Sequence, residues 1–189
     1  QGMRIICEKN SLEGYITKAT YEKARKDYRS AKANFFKAGD TLSVGSIKIH
    51  SFSKQHDAVD PVSFRIEIDG QNIAVLTDLG VPCENVREHL ALCNAAFLES
   101  NYDLDILLDG KYPPFLKHRV SGNKGHLSND QALRLAKELN GSPLKTIFLS
   151  HISEDNNRVD LALNSFKELE ESHVVLPTSR YAVSRVVEL

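Results

Sequence analysis

Val62-Ser63-Phe64-Arg65-Ile66-Glu67-Ile68-Asp69-Gly70-Gln71-Asn72-Ile73-Ala74-Val75-Leu76-Thr77-Asp78-Leu79-Gly80 decides the fold of this chain. Val62, Phe64, Ile66 and Ile68 alternate with polar residues, the period of a half-buried strand. Asp69-Gly70 is a strong hairpin signal. Residues 73–77 are nearly all apolar, which predicts a buried return strand, and that strand ends on Asp78. Before the hairpin, strands are expected at Gly14–Thr17, Thr41–Val44 and residues 47–52, with a turn at Gly39-Asp40. Residues 3–9 read as the end of a helix. Tyr21, Ala24, Tyr28, Ala31 and Phe35 recur at helical spacing.

After the hairpin, helices and strands alternate. Pro82 opens a helix to about His89, residues 95–98 form a buried strand, and residues 103–108 a short helix. Ser128-Asn129-Asp130-Gln131 is a capping box. The helix behind it buries Ala132, Leu135, Ala136 and Leu139, and Asn140-Gly141 ends it. Thr146–Ser150 is a short apolar strand. A helix over about 157–170 is expected to bury Val159, Leu163, Phe166 and Leu169. Residues 174–176 and 181–187 read as closing strands. Hairpins first and alternation later predict α/β layers with a mixed sheet.

The bulk composition excludes several classes. At 189 residues, the chain has room for one domain or two very small ones. Its 41% hydrophobic and 26% charged content is that of a globular chain rather than a disordered one. No apolar run approaches the roughly 20 residues that span a bilayer, and no leader pattern opens the chain. Cys7, Cys83 and Cys93 form no CxxC pair, so free thiols and a cytoplasmic location are expected.

The net charge of -1 hides two basic segments. Residues 18–37 hold Lys18, Lys23, Arg25, Lys26, Arg29, Lys32 and Lys37 against Glu22 and Asp27. Residues 111–124 hold Lys111, Lys117, Arg119 and Lys124 with no acid. Such segments suit phosphate oxygens, and they suit a solvated helix face and loop equally. The sole methionine is Met3. Gln1 and Gly2 therefore either precede a natural start or belong to a longer chain.

Three apolar strands lead to residues able to bind metal: residues 47–52 to His56, residues 73–77 to Asp78, and residues 146–150 to His151. Strand ends at one edge of an α/β fold are where sites are built, and two imidazoles with a carboxylate suit Zn²⁺, Mn²⁺ or Fe. No HxxxH, HxH or HExxH pairs any two of them locally, so a structural histidine and a turn aspartate remain open readings. Glu99-Ser100-Asn101 ends another strand and could set a polar group over the same place. Gly122-Asn123-Lys124-Gly125-His126-Leu127-Ser128-Asn129 is a Gly-rich loop entering a helix N-terminus, a pattern suited to phosphate. Capping accounts for Ser128, whereas His126 has no such structural explanation. One of Asn156 and Asn157 caps the next helix, which leaves the other free to support a metal site or touch substrate.

Taken in order, these motifs resemble the WalJ/YycJ-like branch of the metallo-β-lactamase-fold hydrolases. The likeness runs through residues 52–64, Thr77-Asp78-Leu79-Gly80, Leu98-Glu99-Ser100-Asn101-Tyr102-Asp103, residues 110–117, Gly125-His126-Leu127-Ser128-Asn129 and residues 149–157. It implies an αββα sandwich, as one domain over residues 1–189, with a dinuclear site at one edge. His56, Asp78 and His151 would bind two divalent ions (Zn, Mn or Fe), with Asp78 bridging. The ions would activate a hydroxide and polarise a phosphodiester. The implied activity is that of an exonuclease, on DNA rather than RNA. His126 and Asp78 would be catalytic, and Lys117, Arg119, Ser128, Asn129, Asn101, Asn156 and Asn157 would contact substrate.

Two departures from the pattern stand out. Tyr102 occupies the usual histidine position of an Asn-His-Asp triplet. The family's HxHxDH motif, which supplies most ligands of both ions and in the family lies just before the region matched here, is absent from these residues. The expectations are therefore an N-terminally incomplete domain with partial or no metal occupancy, and a poor or inactive nuclease. An unpaired sheet edge and an exposed apolar face would favour a homodimer, element swapping or instability. The alternative class is a non-catalytic binding or structural module.

Overall fold

The computed structural model of the chain describes residues 6–7, 9–24, 32–139 and 141–189. Strands β1 (Gly14–Thr17) and β2 (Ala33–Phe36) pair in parallel as a small sheet. The large sheet has the spatial order β3-β4-β5-β6-β7-β8-β9. Its strands are β3 (Thr41–Val44), β4 (Ile47–Ser53), β5 (Val62–Ile68), β6 (Gln71–Leu76), β7 (Ala95–Glu99), β8 (Thr146–Ser150) and β9 (Val174–Pro177). Pairing is antiparallel from β3 to β6 and parallel from β6 to β9. Asp69 and Gly70 both take positive φ, 49° and 79°, as the hairpin turn demands. The mixed α/β sheet expected from the pattern is therefore present.

Helix α1 (Lys18–Lys23) lies beside β1; α2 (Glu84–Leu90) connects β6 to β7; α3 (Leu104–Asp109), α4 (Pro114–Ser121) and α5 (Asn129–Glu138) connect β7 to β8; α6 (Val159–Ser165) connects β8 to β9. Val86 and Leu90 of α2, Ala132, Leu135 and Ala136 of α5, and Ala162 of α6 bury against Ala74, Leu76, Ala96, Leu98, Ile147 and Leu149 of the sheet. Each fully buried leucine contributes about 1.5–3 kcal/mol. Alternate strand residues point the other way: Phe64, Val75, Phe97 and Phe148 fall in one register row, half-buried. Tyr15 of β1 and Phe36 of β2 meet that face, where with Leu42, Ile49, Phe64 and Ile66 they line an apolar cavity of about 250 Å³.

Several elements differ from the sequence reading. The helix expected through Tyr21 and Phe35 stops at Lys23, and Phe35 lies in β2. Tyr21 still meets Phe35, edge to face at 5.2 Å, but across the fold rather than along a helix. Tyr28 and Ala31 lie outside the described residues. Pro82 precedes the N-cap Cys83 instead of opening the helix. Helix α4, which carries Lys117 and Arg119, has no signal in the sequence pattern: it is amphipathic only weakly, with no buried residue to mark it. Helix α6 begins at Val159, because Asn157 turns its amide into a buried network, and Val159 is exposed. A 3₁₀ turn over Lys167–Leu169 follows it. Residues 181–187 form no strand, and Val183 and Val186 stand in solvent; among the described residues no strand pairs beyond β9.

Candidate metal centre

Because β4 and β6 are both antiparallel to β5, they run the same way, and β7 and β8 follow β6 in parallel. One sheet edge therefore receives the C-terminal ends of β4, β6, β7 and β8. His56 follows β4, Asp78 follows β6, Glu99 ends β7 and His151 follows β8. Asp78 and His151 take φ of 56° and 55°. Left-handed backbone is uncommon for residues with a Cβ and marks sites that the surroundings over-determine. Here it turns each chain sharply off its strand, so that both side chains stay at the edge.

Glu99 supplies that over-determination. Its side chain has no solvent exposure and accepts from five donors. The backbone N–H groups of Asp78, Leu79 and Leu127 donate at 3.1, 2.6 and 3.3 Å. His126 and His151 each donate through Nδ1 to Oε1, at 2.9 and 2.6 Å. Burial pushes the Glu99 pKa up, but the hydrogen bonds from His126 and His151 outweigh burial and hold the carboxyl at about 2. An ionised carboxylate accepts only, so both histidines carry their proton on Nδ1 and turn Nε2 outward. The same contact raises the His151 pKa above its ordinary value, against the effect of burial.

His56 is oriented in the same manner. Its Nδ1 donates to the Gly125 carbonyl at 3.0 Å, and its Nε2 faces Asp78 Oδ1 at 3.8 Å. The His56 and His151 rings flank that of His126, at 5.3 and 5.1 Å between centroids. Donor atoms of Asp78, Glu99, His126 and His151 lie within 4.8 Å of one another. The donor chemistry fits a divalent cation. The Asp78 carboxylate lies 3.8 Å from His56 Nε2, 3.6 Å from His151 Nδ1 and 3.8 Å from His126 Nδ1, so imidazoles and a carboxylate are gathered in one place, with Nδ1 of each ring held by a hydrogen-bond acceptor, as in metal-ligating histidines. The Glu99 oxygens are already saturated by donors, so its part is to hold the others.

The loops that carry these residues are joined by backbone contacts. Gly80 N donates to Gln55 O at 2.8 Å, and Asp57 N donates to Lys124 O at 3.0 Å. A Cβ on Gly80 would fall 2.2 Å from Asn123 O, and one on Gly125 2.1 Å from Val120 O, so both close approaches require glycine. Lys54 donates its ammonium to Thr77 O at 2.6 Å just before Asp78. Burial lowers its pKa, while the Asp78 and Glu99 carboxylates raise it.

The residues expected at substrate fall into two groups. Lys117 and Arg119 both lie on α4: Arg119 is exposed beside the site, and Lys117 is half-buried. Arg119 Nε donates to Asp57 Oδ2 at 2.6 Å, and this contact lowers the Asp57 pKa; Lys117 Nζ donates to Leu108 O. Ser128, Asn129, Asn101, Asn156 and Asn157 are buried. Ser128 completes the capping box of α5. Asn101 Nδ2 donates to His151 O at 2.7 Å. Asn129 and Asn157 exchange amide hydrogen bonds at 3.1 and 2.8 Å, and Ser100 Oγ donates to Asn129 at 2.6 Å. Asn156 N donates to Ser153 Oγ. Tyr102 is buried too, and its hydroxyl meets Gln131 Oε1 at 3.4 Å. Glu99 is the residue whose importance spacing understated, since a glutamate at a strand end has many bland roles until the three-dimensional fold sets two histidines against it.

A mixed sheet under helices, with histidines and carboxylates converging at its strand ends, is the arrangement of the metallo-β-lactamase fold. The chain belongs to that family: residues 1–152 match the beta-lactamase superfamily domain. It is similar to the exodeoxyribonuclease YycJ of Bacillus anthracis, with 28% identity over 174 residues, covering 90% of this chain and 66% of that protein. It is also similar to the exodeoxyribonuclease WalJ of Streptococcus pneumoniae serotype 2, with 30% identity over 166 residues, covering 85% and 62%. The chain thus spans slightly under two thirds of the length of these relatives. Among solved structures, the metallo-β-lactamase fold protein YhfI from Bacillus subtilis superposes with a TM-score of 0.67 at 16% identity, covering 93% of this chain and 66% of that one.

Proposed function

We propose that the protein is a metal-dependent phosphodiester hydrolase that degrades DNA as an exonuclease. The observation that carries this reading is the Glu99 carboxylate gripping His126 and His151 by Nδ1 beside Asp78. His56, Asp78 and His151 would hold a divalent ion. Such an ion polarises a phosphoryl oxygen and lowers the pKa of an attacking water. His126 lies against the same carboxylate through Nδ1, and its Nε2, once it also carries a proton, would donate that proton to the leaving oxygen. Glu99 fixes its tautomer throughout. Lys117 and Arg119 bind flanking phosphates, with Arg119 exchanging Asp57 for a phosphate oxygen. Asn101, Ser128, Asn129, Asn156 and Asn157 act from beneath, holding the backbone that carries His151 and the 122–129 loop.

Support for DNA comes from the exodeoxyribonuclease relatives and from the basic 111–124 segment. The free cysteines suit a cytoplasmic protein, and among the described residues no helix is long and apolar enough to cross a membrane. The resemblance calls for two ions, Zn, Mn or Fe, whereas this reading assigns them three ligands, His56, Asp78 and His151, so occupancy below two per chain and weak cleavage are expected of these residues alone. That shortage favours the second reading, a non-catalytic binding module.

Incubating purified protein with end-labelled DNA and each ion separates the two. Stepwise, metal-dependent shortening that disappears in His151→Ala supports the hydrolase. Undiminished cleavage by His151→Ala sinks the site assignment. DNA binding with no metal uptake and no cleavage supports the module.

A further inference from the structure

A second cavity, of about 380 Å³, opens directly beyond His151. Ile152, Val159 and Pro177 give it an apolar wall, and Arg158, Arg180 and Tyr181 also line it. Its volume falls in the range of small-molecule pockets. Tyr181 is the unusual feature. Its ring is 83% exposed, yet its hydroxyl donates to the Glu154 carboxylate, so an aromatic face is held in solvent at the cavity with no core role. Arg180 pairs with Glu154 at 3.3 Å and Arg158 with Asp160 at 2.9 Å, and all four side chains are more than half exposed. Ion pairs of that kind are weak and exchange readily for a stronger acceptor.

The cavity is tied firmly to the metal centre. Ile152 is the next residue after His151, one Cα spacing of about 3.8 Å along the chain. Asn101 spans the junction: its amide donates to His151 O, and its carbonyl accepts from Ser153 N at 2.9 Å. A strand whose reacting phosphate lies at His126 and His151 would bring its neighbouring nucleotide to this wall.

We infer that the cavity is a nucleotide subsite, in which the base beside the reacting phosphate stacks on Tyr181 over the apolar wall and Arg180 takes its phosphate. Every base has a π-face, so the subsite reads no sequence. The inference rests on the phosphodiesterase reading.

The test uses the metal-loaded protein with two short oligodeoxynucleotides, one intact and one abasic at the nucleotide beside the reacting phosphate. The intact strand should have a KM about ten-fold below that of the abasic strand, as stacking of one base on an aromatic ring provides. Tyr181→Ala should remove that preference with kcat little changed, Tyr181→Phe should keep it, and Arg180→Ala should raise KM for both strands. Because the Tyr181 ring is exposed, these variants should fold as the parent does. Equal KM for both strands in the parent, or an unchanged preference in Tyr181→Ala, overturns the subsite even while His151→Ala still abolishes cleavage. Absence of metal-dependent cleavage and of DNA binding in the parent overturns the phosphodiesterase reading, and the subsite with it.

Discussion

Glu99 shows how one buried charge can be held and used. Five donors surround it, so removing its charge leaves the arrangement without its centre. In Glu99→Gln an amide N–H₂ would face N–H donors. A loss of about 3–5 kcal/mol is expected from breaking such a buried pair, measurable by urea denaturation. The pH dependence of the metal-free protein follows from the same contacts. The Glu99 carboxyl is depressed from 4.5 to about 2, so its stabilisation is present above pH 4.5 and is lost as pH falls toward 2. The His151 imidazole is raised above 6.5, so its stabilisation is complete below pH 6.5 and is lost as pH climbs through the raised value. Urea midpoints with a chelator present should therefore decline on both sides of a range between about 4.5 and 6.5. Metal affinity should move oppositely on the alkaline side, because the ion needs a neutral His151. A flat metal-binding curve from pH 6 to 8 would count against His151 as a ligand.

Elements matter here chiefly through their ends. The ends of β4, β6, β7 and β8 carry the side chains, and the segments that follow are clamped to one another. The Asn129–Asn157 pair joins the start of α5 to the turn before α6, under the strand end that bears His151. Asn129→Ala would take the acceptor from the buried Ser100 hydroxyl, at about 1–3 kcal/mol for that unsatisfied group, and two hydrogen bonds from Asn157, whose amide keeps Ser100 O, Asn101 O and Arg158 N. Lys117→Ala on α4, which removes a half-buried side chain and its hydrogen bond to Leu108 O, should cost less, about 0.5–1.5 kcal/mol. Thermal unfolding of the two variants side by side checks this contrast. Gly80→Ala puts a Cβ against the Asn123 carbonyl and should shift the loop bearing His126. The expected outcome is a larger loss in metal affinity, read by titration, than in unfolding midpoint.

Over the whole molecule the charge nearly cancels, yet residues 111–124, which include α4, carry Lys111, Lys117, Arg119 and Lys124 with no acid, and Arg119 reaches the metal centre through Asp57. Binding to DNA should then fall steeply with salt despite the net charge of -1. Lys117→Ala should weaken binding to all sequences alike and reduce the slope of log affinity against log salt by about 1, read by fluorescence anisotropy at several salt concentrations. A slope unchanged by Lys117→Ala would remove α4 from the nucleic-acid surface.

Much of this was readable in the chain of residues. Period-two alternation and Asp69-Gly70 predicted the hairpin, apolar runs the parallel strands, and the capping box the start of α5, because each depends on neighbours a few residues apart. The ordered motifs marked His56, Asp78, His126 and His151. Local pattern failed where distant contacts prevailed. Tyr21 and Phe35 meet across the fold instead of along one helix, Asn157 leaves α6 for a buried amide pair, and α4 exists with no buried stripe to announce it. The roles of the site residues were likewise decided in three dimensions. Only packing could sink Asn101, Asn129, Asn156 and Asn157 beneath the surface, and only the common edge of four strands could set two imidazoles on one glutamate. A carboxylate becomes an anchor through what surrounds it, and those surroundings come from residues 20 to 52 positions away in the chain.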